Sequence, residues 1–128
     1  MRRLLAAGAL LAVLAGCAGP RNALNTSASP CFRGLPLASA AVGPKAKVLG
    51  VRIVRRSELV RNLPQAGRVD AESMCAIAYS GTFVRGDVPA ADPPGPGRYA
   101  IVALDTKGSR VLATFVVDAL PVRFRHRV

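Results

Sequence analysis

From residue 30 onward, apolar and polar positions fall into short periodic runs, first with helical spacing and then with strand alternation. Ser29 and Pro30 make a helix start: a serine cap, then a proline whose missing N–H costs nothing in the first turn. Phe32, Leu35, Ala38 and Val42 follow at spacings of three and four, with Cys31 beside them. This predicts a helix over residues 30–42, stopped by Gly43-Pro44 and weakened only by Pro36 inside it. Residues 47–55 alternate, with Leu49, Val51 and Ile53 on one face and Gly50, Arg52 and Val54 on the other. That is the pattern of a strand with one buried side. Residues 57–63 read as a short helix capped by Ser57 and ended by Pro64, and residues 65–73 as a polar loop.

Three more strands are predicted. Cys75, Ile77, Tyr79 and Phe83 share one face of residues 74–84, which puts Cys75 core-side and within reach of Cys31. Residues 98–105 and 110–118 alternate in the same way, and the short turn-rich link between them predicts an antiparallel hairpin. Residues 85–97 hold four prolines and three glycines, so they are expected to stay out of any sheet and form a long surface loop. The tail alternates again through Val122 and Phe124 and reads as a continuation of the last strand past Pro121. The plan is α+β: an N-terminal helix packed on an antiparallel sheet of about four strands. Cystatin-like and PepSY-like export-side domains share this plan, but only at the level of layers.

Ahead of this domain the pattern is different. Arg2 and Arg3 precede an apolar run from Leu4 to Leu14, too short to span a bilayer and of signal-peptide length. The run ends in Leu14-Ala15-Gly16-Cys17, which resembles the lipobox of bacterial lipoproteins. The resemblance implies removal of residues 1–16 and a diacylglyceryl group on the Cys17 thiol. Residues 17–29 then form a lipidated, flexible tether, and residues 30–128 a single small domain. Two acyl chains anchor stably where one is marginal. The location implied is extracytoplasmic: the outer leaflet of the plasma membrane in a single-membrane cell, the outer membrane in a two-membrane cell. Beyond its signal the chain is similar only in outline to small uncharacterised lipoproteins of high-GC Gram-positive bacteria, and no functional residue carries over from them. The excess of arginine over lysine fits such a genome.

Export changes how charge and cysteines are read. The net charge is +11, and about +9 once Arg2 and Arg3 are gone. A basic exported protein points to anionic lipid, wall polymer or an acidic protein, and away from nucleic acid. Of the three cysteines, Cys17 is assigned to lipid, so Cys31 and Cys75 pair as one disulfide in an oxidising compartment. No CxxC spacing is present, which argues against zinc and against dithiol redox chemistry.

Candidate chemistry is sparse. Arg85-Gly86-Asp87 spells an adhesion tripeptide, but Gly-Asp is ordinary turn chemistry. His126 is the only histidine and stands almost at the terminus, where a general base is rarely held in place. The seven carboxylates sit in turns and at element ends. No catalytic set, metal cluster or cofactor motif emerges, so the expectation is a protein that is not an enzyme. The sharpest features are two basic clusters: Arg52, Arg55, Arg56 and Arg61 around the first strand, and Arg123, Arg125 and Arg127 along the tail. They are the candidate contacts for an anionic surface. The leading expectation is therefore a lipid-anchored envelope protein with a small non-catalytic binding domain. The alternative is an accessory or structural lipoprotein of a membrane complex, with no ligand of its own.

Overall fold

The computed structural model describes residues 30–124. In chain order its elements are α1 (Pro30–Arg33), α2 (Leu35–Val42), β1 (Lys47–Arg55), α3 (Arg56–Val60), a 3-10 segment (Pro64–Arg68), β2 (Ser73–Phe83), β3 (Ala91–Pro94), β4 (Gly97–Leu104) and β5 (Val111–Val117). The strands form one sheet in the order β1-β2-β4-β5-β3. Neighbours are antiparallel except β3 and β5, which run parallel.

The layering follows from β2 and β4, which are buried on both sides. Cys75, Ile77 and Tyr79 of β2 and Ala100, Val102 and Leu104 of β4 meet Cys31, Ala38 and Val42 of α1 and α2. The alternate residues, Met74, Ala76, Ala78, Ile101 and Ala103, point to the other face. There they meet Leu59, Leu63 and Ala66 from α3 and the segment after it, with Leu120, Val122 and Phe124 of the tail packed alongside. The mixed α and β composition matches the sequence. The sheet differs, having five strands instead of four, and helical segments cover both faces instead of one.

The first predicted helix is broken at Gly34. Its amide bonds back to the Cys31 carbonyl, closing a turn before α2 begins. A side chain at Gly34 would collide with the Leu104 side chain and crowd Gly108, so glycine lets α1 lie tightly on the β4–β5 hairpin. Pro36 falls in the first turn of α2, where no helical N–H is needed, and so does not kink it. Ser29, the predicted cap, lies outside the described residues. The hairpin turn is fixed by Asp105, whose carboxylate accepts from the Ser109 amide and hydroxyl at 2.7 Å each.

Strand β1 has the predicted bounds, and its residues keep the predicted faces except Leu49. Val48 pairs with Tyr79 and Gly50 with Ala78, leaving Leu49 as a bulge that turns toward the α3 side. After the bulge Val51 is buried in the core on the α1–α2 side and Val54 on the opposite face, while Ile53 is 55% exposed at the sheet edge. The short helix predicted over residues 57–63 is α3, starting one residue earlier, and Ser57 makes no capping bond in it. Part of the predicted loop over residues 65–73 is the 3-10 segment.

Two further expectations are corrected. Residues 91–94 do join the sheet, as β3, despite their prolines; they pair with β5 through Ala91–Thr114 and Pro94–Val116. An edge strand can hold prolines because one side of its backbone needs no ladder partner. The tail does not extend β5, which ends at Val117. It leaves the sheet and lies over the α3 face, since Leu120, Val122 and Phe124 find apolar cover there. Cys31 and Cys75 form the disulfide, tying α1 to the second strand of the sheet.

Candidate basic surface

The site is assembled from two stretches of chain: the end of β1 running directly into helix α3, and the tail. Arg52 stands on β1 opposite Ala76, and therefore on the α3 face. It donates one guanidinium N–H to Glu58 Oε2 at 2.9 Å and another to the Arg123 carbonyl at 2.8 Å. Asn62, just after α3, donates to the Pro121 carbonyl at 2.9 Å. These bonds clip the tail against α3. Between them lies a shallow depression of about 550 Å3, lined by Arg52, Arg55, Ser57, Glu58, Arg61, Asn62, Pro121, Val122 and Arg123. A second depression of about 500 Å3 adjoins it, lined by Arg55, Arg56, Ser57, Val60, Arg61 and Glu72. Arg55, Ser57 and Arg61 border both.

Arg123 of the tail cluster thus meets the arginines around β1 and α3, and the described arginines divide by role. The Arg52 side chain is committed to Glu58 and the tail carbonyl. Arg56 is half-buried and donates to the Val69 carbonyl at 3.0 Å, holding the turn that leads into β2. Arg55, Arg61 and Arg123 are exposed, and their guanidinium groups have no ion pair or hydrogen bond among the described residues. Those three are the groups open to a ligand. Arg125 and Arg127 lie outside the described residues, as do Cys17 and His126. Glu58 and Asn62 were not singled out from sequence, and Ser57 was read only as a helix cap. The alternation of Leu120, Val122 and Phe124 was the signal that Arg123 would be held on a packed segment.

Elsewhere the chemistry is quieter. Asp87 of the Arg-Gly-Asp tripeptide turns its carboxylate back to the Val84 amide at 2.9 Å, so the acid that adhesion would need closes its own turn. A hollow of about 210 Å3 at the end of α2 is lined by Val42, Gly43, Pro44, Lys45, Gly81, Thr82, Phe83 and Asp87. The Tyr79 hydroxyl shares a hydrogen bond with Ser39 at 3.0 Å. Burial pushes its pKa above the ordinary 10.0, and the Ser39 bond offsets this only in part. Among the described residues, no three of His, Cys, Asp and Glu gather as metal ligands, and no helix is long and apolar enough to cross a membrane.

Compared with protein-family models, with curated proteins and with solved structures, the chain matches none.

Proposed function

We propose that this is a lipid-anchored cell-envelope protein whose small non-catalytic domain holds an anionic envelope component on its arginine surface. The observation that carries the reading is the convergence on one depression of Arg55 and Arg61, at the two ends of α3, with Arg123 from the tail, a stretch distant along the chain. Unpaired guanidinium groups arranged around a hollow offer forked donors to phosphate or carboxylate. The bonds from Arg52 and Asn62 hold the tail backbone that carries Arg123 beside α3. The anchor is Cys17, presented by the lipobox-like Leu14-Ala15-Gly16-Cys17 after loss of residues 1–16, with residues 17–29 as tether. The disulfide is consistent with an oxidising compartment outside the cytoplasm.

The test is co-sedimentation of the full chain with anionic material, both acidic phospholipid vesicles and isolated cell-wall polymer, across a salt series. Binding should weaken steeply with salt, and Arg55→Glu/Arg61→Glu/Arg123→Glu should abolish it without changing the circular dichroism spectrum. Salt-insensitive binding, or binding unchanged in the triple variant, contradicts the proposal and leaves an accessory role without a ligand of its own.

A further inference from the structure

Strand β1 is one edge of the sheet, paired through one side to β2. Just beyond its end the Arg56 amide donates to the Glu72 carbonyl at 2.8 Å, and Ile53 lies opposite Cys75 in the same register. Opposed residues of an antiparallel pair alternate between hydrogen-bonded and not. Arg52 and Val54 therefore spend their backbone groups on β2, while Val51, Ile53 and Arg55 turn theirs away from it. The Arg55 carbonyl stands at the start of α3, where the first helical turn takes it up. The amides of Val51, Ile53 and Arg55 and the carbonyls of Val51 and Ile53 have no partner among the described residues. The opposite edge is different: β3 has four residues and carries Pro93 and Pro94, which discourage pairing. β1 runs nine residues, holds no proline, and is regular from Gly50 onward.

These outward groups repeat about every 7 Å along the strand and need donors as well as acceptors. A phosphate or carboxylate accepts from the amides but offers nothing to the carbonyls, whereas an extended polypeptide offers both. The surroundings set the charge of such a segment. Arg52 and Arg55 of this strand border the depression that Arg61 and Arg123 also line, and Lys47 stands exposed at the strand's far end. Glu58 is already paired with Arg52, and Glu72 borders only the second depression. On the other side of the strand, the face of Cys75, the exposed Ile53 side chain is apolar. A strand laid along β1 places alternate side chains beside Ile53 and over the arginines, so its fitting pattern is apolar on one side and acidic on the other. A second copy of β1 brings no carboxylate, and at a net charge of +11 per chain two copies repel.

We infer that β1 takes up an acidic, extended segment of a partner polypeptide as an added edge strand, with its carboxylates over Arg55, Arg61 and Arg123. The choice of an acidic segment rests on the anionic-surface reading above; the strand pairing does not. The test is titration of the full chain, followed by amide exchange in two-dimensional NMR, with a short peptide alternating Glu and Val. The same peptide N-methylated at every Val, or at every Glu, serves as its pair of controls. With Val beside Ile53, only the Val amides face β1, and all three peptides carry the same charge. The parent and the Glu-methylated peptide should bind alike and slow exchange at Val51, Ile53 and Arg55. The Val-methylated peptide should bind at least about tenfold more weakly, the worth of the hydrogen bonds it cannot make. Equal binding by all three overturns the added strand and leaves a site for charge alone. Absence of peptide binding where phosphatidylglycerol vesicles still bind overturns the polypeptide partner and keeps the anionic surface; binding to neither removes both. Slow exchange at these three amides in the free protein also overturns the inference, because the edge is then already covered by another part of the chain or by a second copy.

Discussion

Removing the Cys31–Cys75 disulfide perturbs the fold where its energetics are most exposed. The bond closes a loop of sequence separation 44 and ties a four-residue helix to the sheet. A helix that short has no stability of its own, because a single turn does not offset the entropy of nucleation. In the chain-entropy account, opening this loop frees the unfolded chain by about 4 kcal/mol. A domain of this size has a net stability of about 5 to 15 kcal/mol, so the loss is a large fraction of it. At about 4 to 8 °C per kcal/mol, the Cys31→Ala/Cys75→Ala variant should melt roughly 15 to 30 °C below the parent. Urea denaturation followed by far-ultraviolet circular dichroism measures the change directly, and amide exchange locates it. Protection should fall across the whole sheet, since the cost lies in the unfolded ensemble. A loss below about 1 kcal/mol refutes this reasoning. So does a loss of protection confined to α1 and α2, because the sheet would then be stable without the cross-link.

Three other outcomes follow from the packing. At Gly108 φ is +69° and an added Cβ would run into the Pro30 carbonyl; Gly108→Ala should cost about 2 kcal/mol or more, read as a lower denaturation midpoint. Arg52→Ala removes the bond to the Arg123 carbonyl and one partner of an ion pair about a third exposed, so stability should fall by only about 1 kcal/mol. Amide exchange near Phe124 should nevertheless rise sharply, and Glu58→Gln should reproduce only part of that rise. Tyr79, read by phenolate absorbance in a Tyr99→Phe background, should titrate above 10.0. Because its folded pKa is raised, the associated stability is present below pH 10 and is lost as pH climbs through the folded value. Ser39→Ala should raise that pKa further, since the Ser39 bond is the opposing influence.

The parts of the fold that alternation governs were legible in the sequence. β1, β2, β4 and β5 all lie within a residue of their expected bounds, and the β4–β5 hairpin forms as read. Cys75 lies core-side with Ile77 and Tyr79 as read, and the disulfide to Cys31 expected from the cysteine count forms. What the sequence concealed came from contacts distant along the chain. The break at Gly34 depends on the approach of Gly108, which no local period records. The bulge at Leu49 moves that residue off the face of Val51, and Val54 is buried because α3 covers the face that alternation assigned to solvent. β3 forms because Val111–Val117 leaves an edge open to it, although its prolines argue against any strand. The site was half visible. Both arginine clusters were evident, but only the fold brings Arg123 against Arg52. It also separates the committed guanidiniums of Arg52 and Arg56 from the open ones of Arg55 and Arg61.

The anchor is the claim on which location and compartment both depend, and intact mass spectrometry of the membrane-extracted protein tests it most directly. The account predicts a chain lacking residues 1–16, carrying diacylglyceryl mass on Cys17, with Cys31 and Cys75 alkylated only after reduction. A mass without lipid, or a chain that still contains residues 1–16, contradicts it. The domain would then be free of the membrane, and the proposed contact with an envelope component would lose the anchor that places it there.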